Sequence, residues 1–241
     1  MRASHSYSTV LALIAGTFVV AAASPDSAWD SSALLLLASA TLVAALWTVG
    51  VASFNSWRSL TFVGLTIVAA AINVLTDDSA AAATVALLTA TCTLGTAIVI
   101  ARGVLEQGEV NRESVRGAIC IYVLLGMIFM FVYGAMASIG SHALFTQGTD
   151  GTRSIRLYFS FVTLETLGYG DYTLASSLGH TLAVLEALVG QLYLVTIVAL
   201  LVSRLGRKES RGSSRQGDAA GGGVHEGGDS RPTGSEGSTW R

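Results

Sequence analysis

Proline, charge and cysteine are all scarce in this chain, and each shortage excludes something. Only two prolines occur in 241 residues, Pro25 and Pro232. Neither interrupts an apolar segment, so helices formed by those segments lack the kinks that proline imposes through its missing amide and its ring. Charged residues make up 12% of the chain, against about 25% in an ordinary soluble domain. The net charge of -2 leaves no basic surface for a nucleic acid partner. Cys92 and Cys120 fall in different apolar segments, where they read as small packing residues and not as a disulfide or a metal pair.

Apolar residues are abundant instead, at 51%. Runs of about 18 residues without charge cross a bilayer. Six segments read as such spans: 7–23, 32–54, 60–75, 80–101, 115–138 and 180–202. The expected fold is an all-α membrane protein with six transmembrane helices. Its expected divisions are a four-helix N-terminal domain over 1–114, a second transmembrane domain over 115–204 and a tail over 205–241. That tail is rich in Gly, Ser, Arg and Glu, so it buries too little to order itself.

The connections set the topology. Arg58 lies in the second, Arg102, Arg112 and Arg116 in the fourth, and Arg204, Arg207, Lys208 and Arg211 follow the last span. The first and third carry Asp26, Asp30, Asp77 and Asp78 and no basic residue. The positive-inside bias then puts both termini in the cytoplasm of a multi-pass cell-membrane protein. The long connection 139–179 falls outside. Its Arg153 and Arg156 run against the bias, which a segment dipping back into the membrane explains. Arg2 and Ala21-Ala22-Ala23 match a secretory signal pattern, but the weak basic region favours a retained first span.

Within that long connection stands Thr166-Leu167-Gly168-Tyr169-Gly170-Asp171. Backbone that enters a membrane unpaired must be buried in protein or line water. Gly168 and Gly170 admit positive φ, which lets successive carbonyls face one side. Four such strands about an axis make rings of oxygens able to replace the hydration shell of an ion.

The segment resembles the potassium-channel signature Thr-Val-Gly-Tyr-Gly-Asp, with Leu167 in place of Val. The resemblance covers the last two spans and the loop between them, and a six-span count agrees with it. It implies a re-entrant pore helix and selectivity filter between helices 5 and 6. Filter oxygens come from Thr166, Leu167, Gly168, Tyr169 and Gly170, with K+ as the transported ion. A pore helix capped by Thr152 or Ser154 is expected to reach about Glu165, its C-terminal dipole end favouring a cation. Tyr158 and Phe159 resemble the aromatic pair of family pore helices. Tyr158 stands thirteen positions before Asp171, so a Tyr158 hydroxyl to Asp171 hydrogen bond is expected, with Phe159 behind Tyr169. At Val162 some relatives carry a carboxylate, and its absence leaves any inactivation through that group without a basis. Gly190 stands nineteen residues after Asp171, where the family's inner helix commonly has its hinge glycine. A close helix approach is the other reading of the same residue. Gln191, Leu194 and Val198 then face the cavity.

Two acids stay open. Glu165 is either a cavity carboxylate that concentrates cations or a buried acid bonded to a neighbouring chain. Glu186 lies within the last span, where acids face protein or water, and a hydroxyl such as Thr163 is its expected partner. Asn73 reads as an interhelical hydrogen-bond partner. His142 and His180 flank the outer mouth. The fourth segment carries no arginine between Ala80 and Ala101, so it cannot act as a voltage sensor, which needs repeated charges.

The expectation is therefore a potassium-selective homotetramer in a lipid bilayer, passing ions passively, with no catalytic residue and no organic cofactor. A nonselective cation channel is the alternative. The Gly-x-Gly-Asp pattern of intramembrane aspartyl proteases is another, but that chemistry needs a second aspartate inside a helix, and Asp77 and Asp78 lie at a span end.

Overall fold

Long apolar runs free of proline fold as helices, because in an apolar surrounding the backbone must satisfy itself. A computed structural model of the chain describes residues 7–23, 26–49, 56–76, 78–106 and 112–221. The helices are α1 (Tyr7–Ala23), α2 (Ala28–Val49), α3 (Ser56–Thr76), α4 (Ser79–Glu106), α5 (Arg112–Ile139), α6 (Arg153–Leu164) and α7 (Ser177–Gly221). Among the described residues there is no strand, only one antiparallel bridge between Phe145 and Leu174.

Among the described residues, four helices hold an apolar stretch long enough to cross a membrane: Ala28–Leu46, Ser79–Val104, Ser114–Ile139 and Ser177–Leu200. The stretches in α1 and α3 are shorter, Val10–Ala23 and Val63–Thr76. α6 has 12 residues, and at 1.5 Å per residue it covers about 18 Å, well short of a hydrocarbon core of about 30 Å.

The chain divides into a compact unit, Met1–Leu201, and a second unit, Val202–Arg241. The backbone of the expected tail is helical as far as Gly221. The rest of the expected tail, 222–241, lies outside the described residues.

In the compact unit α4 and α5 carry the core. Ala97, Ile100 and Val104 of α4 pack with Cys120, Ile121 and Leu124 of α5 and with Val10 and Ile14 of α1. A second cluster joins Ala21, Leu34 and Ala90 to Met127, Met130 and Phe131 of α5 and Leu157 of α6. A third, built from Leu35, Ala38, Ala70, Val85 and Cys92, fastens α3 and α4 to α2. Polar residues inside these helices are satisfied locally: Thr89, Thr93 and Thr96 each donate to the carbonyl four residues back. Asn73 reaches across, donating to the Ala28 carbonyl at 3.1 Å and to Ser32 Oγ at 3.2 Å.

Candidate ion pathway

The short helix α6 places the site. Thr152 is its N-cap, with extended backbone and a side chain that accepts the Ile155 amide at 3.3 Å. Of the two caps open from the sequence, Thr152 is the one used. Glu165 closes the C-terminus, its amide donating to Phe161 O. The helix lies close on α5, where a Cβ at Gly126 would stand 2.6 Å from the Phe161 ring.

The strand that follows turns its amides back onto α6. Thr166 N–H donates to Thr163 O at 2.9 Å, and Leu167 N–H to Val162 O at 2.9 Å. Gly168 N–H shares that Val162 oxygen at 3.4 Å. The backbone alternates in hand: φ is positive at Thr166 (59°), Gly168 (54°) and Gly170 (79°), and at neither residue between them. Threonine at positive φ is a strained outlier, because its β-branch crowds the backbone. Alternation of this kind turns successive peptide groups to the same side, where a regular strand would alternate them. Leu167 and Tyr169 are largely exposed, at 51% and 66%, so the strand has little side-chain cover from its own chain.

Aromatic rings back the strand. Tyr158 stacks on Tyr169, with centroids 6.5 Å apart and planes 10° apart. The neighbouring Asp171 carboxylate raises the Tyr158 hydroxyl from its ordinary value. Phe159, expected behind Tyr169, packs elsewhere: its ring meets Tyr133 at 5.3 Å and Phe145 at 5.4 Å. Neighbouring residues on a helix point about 100° apart, so only one of the pair can face the strand, and Tyr158 takes that place.

The α5–α6 loop braces the far end. Gln147 Nε2 donates to the Asp171 carbonyl at 2.7 Å. Thr146 N–H donates to Thr173 O at 2.8 Å, and Ala175 N–H to Leu144 O at 2.9 Å. The His180 ring nitrogen lies 2.7 Å from Leu174 O. His142 is exposed. Arg153 and Arg156, which break the charge bias, are tied to Asp26. Arg156 pairs with its carboxylate at 2.8 Å, while the Arg153 amide donates to it at 2.9 Å. Arg153 is 5% exposed. Burial lowers its guanidinium from the ordinary arginine value, and the Asp26 charge works against that lowering. This pairing was not expected from the sequence; its one available signal was that Asp26 lies in a connection on the same expected side.

The last helix meets this assembly at two points. A Cβ at Gly190 would collide with the Leu164 carbonyl oxygen and stand 2.9 Å from Leu164 Cδ1. Glu186 is fully buried. Its expected partner, Thr163, is replaced by two others: Tyr133 Oη at 2.6 Å and Ser160 Oγ at 2.5 Å. Ser160 sits three residues before Thr163 on α6, nearly one full turn, and there the helix faces both α5 and α7. Neither Ser160 nor Tyr133 carried a signal in the sequence. Gln191, Leu194 and Val198 are exposed on the single chain, as is Glu165.

Residues 117–207 match a family model described as an ion channel. The matched stretch holds most of α5, all of α6, the strand with alternating φ and the apolar part of α7. This part of the chain is similar to an ion channel domain. No curated protein and no solved structure matches the chain.

Proposed function

We propose that the chain is one subunit of a potassium-selective channel that assembles as a homotetramer in a cell membrane. The observation that carries this reading is the alternation of positive φ at Thr166, Gly168 and Gly170. The amides of Thr166, Leu167 and Gly168 are spent on α6 carbonyls, and among the described residues no hydrogen bond is made to the carbonyl oxygens of 166–170, which leaves them for a cation. Four copies about an axis would stack the oxygens of Thr166, Leu167, Gly168, Tyr169 and Gly170 into rings. A closed four-fold arrangement is the simplest for a chain with one such loop.

The bareness of α7 supports assembly. Leu188, Leu192, Val195 and Val198 are each more than half exposed, and between Ser177 and Leu200 the buried residues are Gly179, Glu186 and Gly190. In the proposed tetramer Gln191, Leu194, Val198 and Glu165 border the inner cavity. Tyr158 and Asp171 hold the filter, and Gly190 is the place where the inner helix bends. Both termini are cytoplasmic, and the α6 segment enters the membrane and returns on the outer side. K+ passes down its gradient without covalent chemistry.

Purified protein reconstituted into liposomes, with K+ or Na+ gradients imposed in turn, tests this. Potassium flux well above sodium flux is expected, and Gly168→Ala should abolish it. There is open space for the added methyl, so its effect comes from φ of +54°, which costs an L-residue about 1–2 kcal/mol. Equal passage of both ions would favour the nonselective alternative, and no passage of either would sink the reading.

A further inference from the structure

Three short oxygen–oxygen contacts meet behind the strand. Tyr133 Oη lies 2.6 Å from Glu186 Oε2, Ser160 Oγ lies 2.5 Å from Glu186 Oε1, and Ser160 Oγ lies 2.7 Å from the Gly126 carbonyl. Each contact of this length needs a proton between its oxygens. The Gly126 carbonyl has none to give. Tyr133 and Ser160 have one each. Tyr133 supplies the first contact, and Ser160 must supply Gly126. The contact between Ser160 and Glu186 is left without a hydrogen unless the carboxyl carries it.

We infer that Glu186 is a neutral carboxylic acid that donates its own proton to Ser160 and so fastens α7 to α6 and α5. The surroundings agree. Glu186 is 0% exposed, and a buried carboxylate with no cation beside it is costly. Tyr133 from α5 and Ser160 from α6 are its bonded neighbours, and among the described residues no arginine or lysine is paired with it. A neutral acid uses both its functions here, accepting from Tyr133 and donating to Ser160. The bonded group sits four residues before Gly190, whose backbone touches Leu164 at the end of α6. Glu186 is thus a positioning residue: it touches no ion, and it locks the inner helix in register with the helix that presents the filter.

Infrared spectroscopy of the full chain in liposomes tests the protonation state directly. The wild type at neutral pH should show a protonated-carboxyl C=O band that Glu186→Gln removes, with no carboxylate band lost. Loss of a carboxylate band in its place would overturn the inference. Rescue supplies a second arm. Glutamine offers the same donor and acceptor, so Glu186→Gln should keep wild-type thermal stability, whereas Glu186→Ala should lower it clearly. Equal damage from both variants would count against a neutral acid. Neither arm depends on which ion passes, so failure of the channel reading leaves this inference standing, and the reverse holds as well.

Discussion

The Leu164 carbonyl oxygen occupies the space that a Cβ on Gly190 would need. The obstacle is backbone, at the C-terminal turn of α6, and it has no rotamer to retreat into. Of the two roles open to this glycine from sequence, close approach is thus realised in the geometry. Bending is compatible with it.

Gly190→Ala should therefore destabilise the protein by about 1–3 kcal/mol, the usual cost of overpacking. Gly64→Ala is the control, because nothing stands within 4 Å of its added Cβ. Thermal melting in detergent reads both. A Gly190→Ala protein as stable as the Gly64→Ala one would mean that α7 does not rest on α6 as described.

Thr166 should show opposite signs for stability and activity. Its φ of 59° costs about 1–2 kcal/mol in an L-residue, and glycine would relieve that, less its own entropy cost of up to about 1 kcal/mol. Thr166→Gly should melt at the same or a higher temperature and yet lose selective potassium flux. Unchanged selectivity would remove the threonine from the proposed filter.

Tyr158→Phe should preserve the ring stacked on Tyr169 and delete the hydroxyl beside Asp171. A single hydrogen bond contributes about 1 kcal/mol, or roughly a fivefold change in an equilibrium. Potassium flux through Tyr158→Phe should accordingly decay severalfold faster after the gradient is imposed. An identical time course would show that the ring alone braces the strand.

Asp26→Asn should loosen α6 from the α1–α2 connection. The change leaves Arg153, 5% exposed, and Arg156 without the carboxylate they share. A hydrogen bond to a charged group contributes about 2 kcal/mol, and a loss near that size is expected on melting. Asp78→Asn should have little effect, since Asp78 is exposed. Equal melting temperatures for the two variants would leave the Asp26 pairing without energetic weight.

The strand and its supporting helix were legible because their signals are local. Glycine at every second position and a threonine before an amphipathic turn act through short-range geometry, while the place of Tyr158 thirteen positions ahead of Asp171 was read from the resemblance to potassium channels. The partner of Glu186 was not legible. Ser160 and Thr163 are both hydroxyl residues on the same helix, and choosing between them requires the rotation of α6 about its axis. Phe159 failed for the same reason: a 100° step per residue sends it to Tyr133 and Phe145 while Tyr158 meets Tyr169.

Sequence by itself determined that the chain is apolar and helical, and that one glycine-bearing segment departs from helix between two long apolar runs. Those are consequences of solvent preference and of φ freedom, which each residue carries with it. Tertiary structure alone decided that Asp26 holds Arg156, that Gly190 touches Leu164 and that Glu186 finds Tyr133 and Ser160. Such pairings depend on how whole helices are turned and stacked, and no single residue encodes that rotation.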